Sequence, residues 1–248
     1  MKEWITGRNP VCEVLRAKRR VIYRLLCFQG LQANARLQTI FALSEQAHIP
    51  IEKVDRDHLD FISPNNQGVA LQVSAYPYVQ LQQVLQVAQN KHQPPLIVLL
   101  DQLQDPQNFG SLLRTAEAVG VHGVVIPTSR AAGVTPAVVN SSSGATEFLS
   151  ICQANLSQAI DYLKQQNIWM YGLEYSENAP PIQEVKWSGP IGLVVGSEGT
   201  GLRDLVKRKC DFLLKLPMVG QIESLNAAVA GSIALYWAFL YRQKQASK

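Results

Sequence analysis

Several things are scarce in this chain of 248 residues, and each scarcity excludes a class of protein. No apolar run approaches the roughly 20 residues that cross a bilayer as a helix. The start, "MKEWITGRNPVCEVL", has neither an uninterrupted apolar stretch nor a small-residue cleavage site of secretory type. A cytoplasmic protein with no membrane segment is expected. Cysteine is sparse: Cys12, Cys27, Cys152 and Cys210 stand far apart with no C-x-x-C, which points to reduced, buried thiols. The four histidines (His48, His58, His92, His122) form no pair at ligand spacing, so no metal is expected. A P-loop lysine and a G-x-G-x-x-G fingerprint are both missing, which disfavours a nucleotide-dependent oxidoreductase.

What is present is enough to bury a core. Hydrophobic residues make up 47% and charged residues 17%, the balance of a globular chain rather than a disordered one. The formal charge of +4 is unevenly placed. Residues 1–75 hold ten Lys/Arg against seven Asp/Glu, whereas residues 94–248 hold twelve of each. The excess is densest in "RAKRRVIYR", where Arg16, Lys18, Arg19, Arg20 and Arg24 crowd together. Such a cluster can neutralise phosphates; it can equally be a solvated helix end.

The first 76 residues predict alternating short elements: a helix from Asn9 (as N-cap) and Pro10, a strand "VIYRLLCF", a helix near 33–47, a strand near 49–54, a helix near 55–61 and a strand "GVALQVS". Residues 77–93 are Gln-rich and flanked by prolines, with Leu81, Val84, Leu85 and Ala88 at helical spacing: a linker with an amphipathic helix. From residue 94 apolar strands alternate with helices: "LIVLLD", "GVVIP", "EFLSI", "IWMYGLE", "IGLVVG" and "DFLLKLP", with helices near 109–119, 155–166, 201–208 and 224–241. That is the pattern of an α/β domain whose parallel sheet is covered on both faces, with ligands beyond the carboxyl ends of its strands.

Three strand-end loops stand out. In "LDQLQDPQNFGSLLRTAEAVG", Asp105 and Pro106 make a turn, Asn108 can cap the next helix, and Arg114 follows six residues later. In "LVVGSEGTGL", Gly196, Gly199 and Gly201 permit tight turns, while Glu198 would repel a phosphate and suits a cationic or hydroxyl-bearing ligand. In "LPMVGQIESLNAAVAGS", Ser224 or Asn226 can cap the last helix, and Glu223 has no role beyond a loop charge. The small residues Ala227, Ala228, Ala230, Gly231 and Ser232 call for close packing, within the chain or across a subunit interface. Each loop alone is open to a purely structural reading.

Taken in order, the three loops resemble the signature motifs of the SpoU-type (TrmH) 2′-O-ribose RNA methyltransferases. "GRNPVCEVLRA" near the start and "NQGVAL" before residue 77 are similar to the branch that methylates a guanosine of large-subunit (23S) ribosomal RNA, although Asn66 stands where that branch commonly has His. The resemblance implies S-adenosylmethionine as cofactor and a C-terminal SPOUT-type sheet with a deep trefoil knot (94–248). It also implies an N-terminal ribosomal-protein-like RNA-binding domain (1–76) and a homodimer packed through the knotted domain and final helix. The loops after "VVIP", "LVVG" and "LLKLP" would enclose the cofactor with Thr128, Gly196, Leu216, Met218 and Leu225. Arg114 would act on the ribose hydroxyl, oriented by Asn108 and Glu198, with Ser224 and Asn226 positioning cofactor and hydroxyl. Arg8, Arg16, Lys18, Arg19 and Arg20 are the expected RNA contacts, with Arg130 near the reaction. A tRNA ribose methyltransferase of the same family, or a non-catalytic RNA-binding assembly factor, are the alternatives.

Overall fold

The structure is a computed structural model that describes residues 2–32, 34–129, 131–176, 179–221 and 224–246. The chain forms two compact units. One comprises residues 1–77 with 134–148, the other 78–133 with 149–248.

The first unit begins with β1 (Lys2–Thr6), α1 (Arg8–Ala17), β2 (Ile22–Phe28) and α2 (Ala35–Gln46). It continues through β3 (Ile51–Val54), α3 (Arg56–Ile62) and β4 (Val69–Ser74). Its sheet runs β1-β4-β2-β3, with β4 antiparallel to both neighbours and β2 parallel to β3. β1 is not among the elements the sequence pattern predicts, and α1 begins at Arg8, two residues before the start predicted from Asn9 and Pro10. Gly7, at φ 85°, is the N-cap, and its carbonyl accepts from Val11 N at 3.1 Å. Asn9 lies inside the helix, and Pro10 sits within the first turn, where its missing N–H costs nothing. Asn66 is buried in the turn before β4. Its Nδ2 donates to Asp60 Oδ1 (2.7 Å) and Ser63 O (2.8 Å), while its Oδ1 accepts from Gly68 N (2.7 Å). The residue that departs from the related branch is thus committed to building the turn.

Residues 134–148 bring α6 (Pro136–Ser141) and a 3-10 turn (Ala145–Phe148) into this unit. "EFLSI" was expected as a strand, but only its last residue is in one; Glu147 instead enters the interior. The side chains of Arg20 and Glu147 are both fully buried and joined at 2.9 Å, and Arg20 also pairs with Glu3 at 2.9 Å. Tyr76 extends the cluster: its hydroxyl accepts from Arg19 and donates to Thr146 O at 3.1 Å. Burial of two opposite charges is tolerable only with this degree of pairing, and removing one partner of such a pair typically costs about 3–5 kcal/mol.

The second unit starts with α4 (Leu81–Asn90), the amphipathic helix expected within the Gln-rich segment. Val84, Leu85 and Ala88, spaced to share one face, are buried, and Val84 and Leu85 enter the core cluster. There follow β5 (Leu96–Leu100), α5 (Pro106–Ala118), β6 (Gly123–Ile126), β7 (Ile151–Gln153), α7 (Leu156–Gln165) and β8 (Trp169–Leu173). The unit closes with β9 (Ile191–Val195), α8 (Asp204–Lys209), β10 (Phe212–Leu214) and α9 (Ala227–Ala246). All six strands are parallel, in the order β10-β8-β9-β5-β6-β7. The central strands β5 and β9 are buried at every residue, as expected of a sheet covered on both faces. Among the described residues no helix is long and apolar enough to cross a membrane. Of the four free cysteines, three are buried.

The small residues of α9 serve packing within the chain. Gly231 lies so close to α5 that a Cβ would stand 2.9 Å from Leu112 Cδ1, and Ser232 Oγ donates to Thr115 Oγ1 at 2.9 Å. Val229, Ile233, Tyr236 and Leu240 form an exposed stripe on another side of the helix.

His122, between α5 and β6, is buried in neutral form. Its Nδ1 accepts from Leu96 N at 3.0 Å, which leaves Nε2 to donate to Gln93 Oε1 at 3.0 Å. Burial, aided by the charges of Lys91 and Arg242, lowers its pKa from 6.5 to about 4. Between those values the unfolded chain takes up a proton that the folded chain refuses, so stability falls as pH drops through that window. Denaturant unfolding at pH 7 and pH 4.5 should show a loss at the lower pH that is smaller in a His122→Gln variant.

Candidate active site

The carboxyl ends of β8, β9 and β10 open onto a cavity of about 460 Å³. Its floor and walls come from Leu173 to Tyr175 after β8, Gly196 to Gly201 after β9, and Leu214 onward after β10, closed by the start of α9. The Gly196 loop is pressed tightly on itself. Ser197 N donates to Gly201 O and Gly201 N to Ser197 O, both at 3.1 Å. A Cβ on Gly196 would stand 2.3 Å from Gly201 C, inside any permitted contact. Gly201 takes φ 64°, the left-handed region that favours glycine, and Leu202 N donates to Glu174 Oε2 at 3.1 Å.

Three polar side chains from distant parts of the sequence meet at the cavity. Asn108 Nδ2 donates to Glu198 Oε1 at 3.0 Å, and Asn226 Nδ2 donates to Asn108 Oδ1 at 2.9 Å and to the same Glu198 oxygen. The helix starts explain how each amide becomes available. Asp105, rather than Asn108, caps α5: its carboxylate accepts from Asn108 N at 2.9 Å and Pro106 takes the first helical position. That leaves the Asn108 side chain for Glu198. Asn226 does both jobs at once. Its Oδ1 accepts from Ala228 N (3.0 Å) and Val229 N (3.1 Å) at the start of α9, while its Nδ2 faces the carboxylate.

Comparison with known proteins gives this geometry a relationship. The sequence model of the SpoU rRNA Methylase family matches residues 95–236. A second model, RNA 2'-O ribose methyltransferase substrate binding, matches residues 4–79. YacO of Bacillus subtilis (strain 168), assigned by its name to the TrmH family of tRNA/rRNA methyltransferases, is 38% identical over 242 residues, covering 97% of this chain and 96% of YacO. The chain belongs to the SpoU/TrmH family of RNA methyltransferases. Two solved structures share its fold. The SpoU methyltransferase AviRb from Streptomyces viridochromogenes, in complex with AdoMet, superposes with TM-score 0.82 at 24% identity over 98% of this chain and 91% of AviRb. An RNA 2'-O ribose methyltransferase gives TM-score 0.78 at 25% identity over 98% and 89%.

Against the expectations for a SpoU protein, the site residues divide clearly. Gly196, Leu216, Met218 and Leu225 line the cavity together with Glu198, Ser224 and Asn226. Thr128 does not: it follows β6, which β5 separates from β9, and it lines a different cavity. The third wall comes from the loop after β8, where the sequence reading had placed the loop after "VVIP". Glu174 and Tyr175 in that wall were missed, because nothing local in "GLEYS" distinguishes it from a surface turn; only the strand order does. Arg114 is exposed on α5 and is not among the cavity's lining residues. It stands about 9 Å along the helix axis and about 120° round from Asn108.

In the first unit the basic candidates fare differently. Arg16 and Lys18 are exposed, Arg16 with Glu13 at 3.0 Å. Arg8 is half-buried, with Nε donating to Gln67 O at 3.1 Å, and Arg19 lies against Tyr76. Arg20 is a correction to the expected RNA contacts: fully buried and bound to Glu147 and Glu3, it has no surface to offer a phosphate. Arg130 and Glu223 lie outside the described residues. Among the described residues no group of three or more His, Cys, Asp or Glu is placed to hold a metal ion.

The tight Gly196 loop yields a test. Gly196→Ala should force the 196–201 turn open at a cost of about 1–3 kcal/mol. A lowered melting temperature, together with loss of ligand binding in the adjoining cavity by calorimetry, is the expected result.

Proposed function

We propose that this protein transfers a methyl group from S-adenosylmethionine to the 2′-hydroxyl of a guanosine in large-subunit ribosomal RNA. The observation that carries the reading is the cavity in which the Asn108–Glu198–Asn226 cluster meets apolar walls. Its residues fit that cofactor. Adenosine bears no phosphate; Lys215 is the single lysine among the lining residues, and Leu216, Met218 and Leu225 provide apolar surface for the adenine. Glu198 supplies negative charge, which suits a sulfonium cation, whereas the charge of Glu174 is paired with Lys207 at 3.1 Å. When bound, the cofactor supplies a methyl group already activated on sulfur.

The chain's own task is to hold a weak nucleophile in line and to stabilise the charge that develops on it. Arg114 is poorly suited to accept a proton, since guanidinium stays charged at any physiological pH. Its role in this proposal is to clamp the phosphate beside the reacting ribose and stabilise the developing alkoxide. Asn108 and Glu198 orient the reacting groups, and Ser224 and Asn226 position cofactor and hydroxyl. Residues 1–76 form the RNA-docking domain, with Arg8, Arg16, Lys18 and Arg19 as phosphate contacts and Arg130 near the reaction. The methyltransferase domain with its trefoil knot is built from residues 78–133 and 149–248, α4 included.

The preference for ribosomal RNA rests on "GRNPVCEVLRA" and "NQGVAL"; transfer RNA is the second reading, because the name of the Bacillus relative covers both. The apolar stripe of Val229, Ile233, Tyr236 and Leu240 supports a homodimer packed through α9. The enzyme acts in the cytoplasm.

Incubation with labelled S-adenosylmethionine and separate rRNA and tRNA pools, followed by mapping of the methylated ribose, tests the reading. Label is expected on a guanosine of large-subunit rRNA, and label in tRNA alone would overturn the substrate choice. In the same assay Arg114→Lys should lose about 10²–10³ in turnover, nearly as much as Arg114→Ala, because an ammonium cannot reproduce the two-pronged contact. Near-normal turnover of the lysine variant removes the clamp from the mechanism.

A further inference from the structure

A second cavity, of about 420 Å³, opens at the carboxyl ends of β6 and β7 in the same unit. Thr128 and Ser129 line it on one side, Ser157 and Gln158 from the first turn of α7 on another, and Arg203 on a third. No carboxylate is among its lining residues. Its volume is that of a small-ligand site, and its hydroxyls, amides and single cation make it a polar one.

Arg203 is held in an unusual way. Its Nε donates to Asp101 Oδ1 at 2.7 Å and its backbone N to Asp101 Oδ2 at 2.9 Å. The Asp101 side chain is fully buried at the end of β5, whereas that of Arg203 is 46% exposed. The root of the guanidinium is therefore pinned, while Nη1 and Nη2 have no partner among the described residues. Two parallel N–H donors in a fixed plane match the two non-bridging oxygens of a phosphodiester. Arg203 also directly continues the loop whose Gly196–Gly201 portion lines the first cavity, so one short segment faces both cavities.

We infer that the second cavity is a substrate subsite, in which Arg203 grips a phosphodiester of the RNA chain flanking the ribose to be methylated. Thr128, Ser129 and Ser157 add neutral hydroxyl donors around that phosphate, and Gln158 lies where the attached nucleoside would contact the rim. Thr128 thereby acquires a place on the RNA side of the site. The inference rests on the reading of the first cavity as the methyl-donor site, but its test is independent of methyl transfer.

Ser157→Glu puts a carboxylate into the cavity at the second position of α7, where the helix end favours negative charge, so folding is preserved. Arg203→Gln keeps a donor for Asp101 and removes the cation. Filter binding of total ribosomal RNA across a salt series should show affinity weakened about tenfold by Ser157→Glu, and a salt slope reduced by about one charge in Arg203→Gln. Affinity for S-adenosylmethionine, measured by calorimetry, should stay within about twofold of wild type, since neither side chain lines the first cavity. Wild-type RNA affinity and slope in both variants overturn the inference, as does a wild-type protein that binds no RNA. Weakened binding by both variants in a protein that methylates no RNA would leave the subsite standing and fell the proposed reaction.

Discussion

One carboxylate organises the candidate site. Glu198 accepts from the amides of Asn108 and Asn226, residues in the first turn of α5 and at the start of α9. The contact joins three chain segments separated by 90 and 28 positions. Because Asn226 also caps α9 and Asp105 caps α5, the position of the carboxylate is tied to the ends of two helices that pack on each other. A network in which every amide has its partner is stiff, and stiffness is what a reaction limited by alignment requires.

Local chemistry made much of the fold legible in the sequence. Continuous apolar runs marked β5 and β9, and the period of Val84, Leu85 and Ala88 marked the buried face of α4, whereas Asp105–Pro106, which reads as a turn, is the cap and first residue of α5. The three loops were recognisable by their polar and glycine residues, and four of the five residues expected around the cofactor line the first cavity. Strand order was beyond reach. Whether the loop after β6 or the loop after β8 lies beside Gly196 depends on which strands neighbour β9, and no local pattern encodes that. Thr128 lines the second cavity and Glu174 the first for that one reason.

Charge was the other weak point. Arg19 and Arg20 are adjacent and chemically identical and both stand over the Tyr76 ring, yet only Arg20 is sealed in the interior with two glutamates. A cluster of basic residues reports a local excess of charge, not where each side chain goes. The partner that decides the fate of Arg20, Glu147, stands 127 residues away in a segment that reads as an ordinary strand.

That partnership bears on how the chain can be divided. The two family models, at residues 4–79 and 95–236, invite a view of the protein as separable modules joined end to end. The backbone, however, passes between the two compact units at 77/78, again at 133/134 and once more at 148/149. A fragment ending at residue 77 keeps its sheet and Glu3 but takes from Arg20 its fully buried partner, Glu147. The first unit therefore draws part of its interior from residues 134–148, far along the chain, and a gene fusion or domain exchange that honours only the linear boundary would transplant it incomplete.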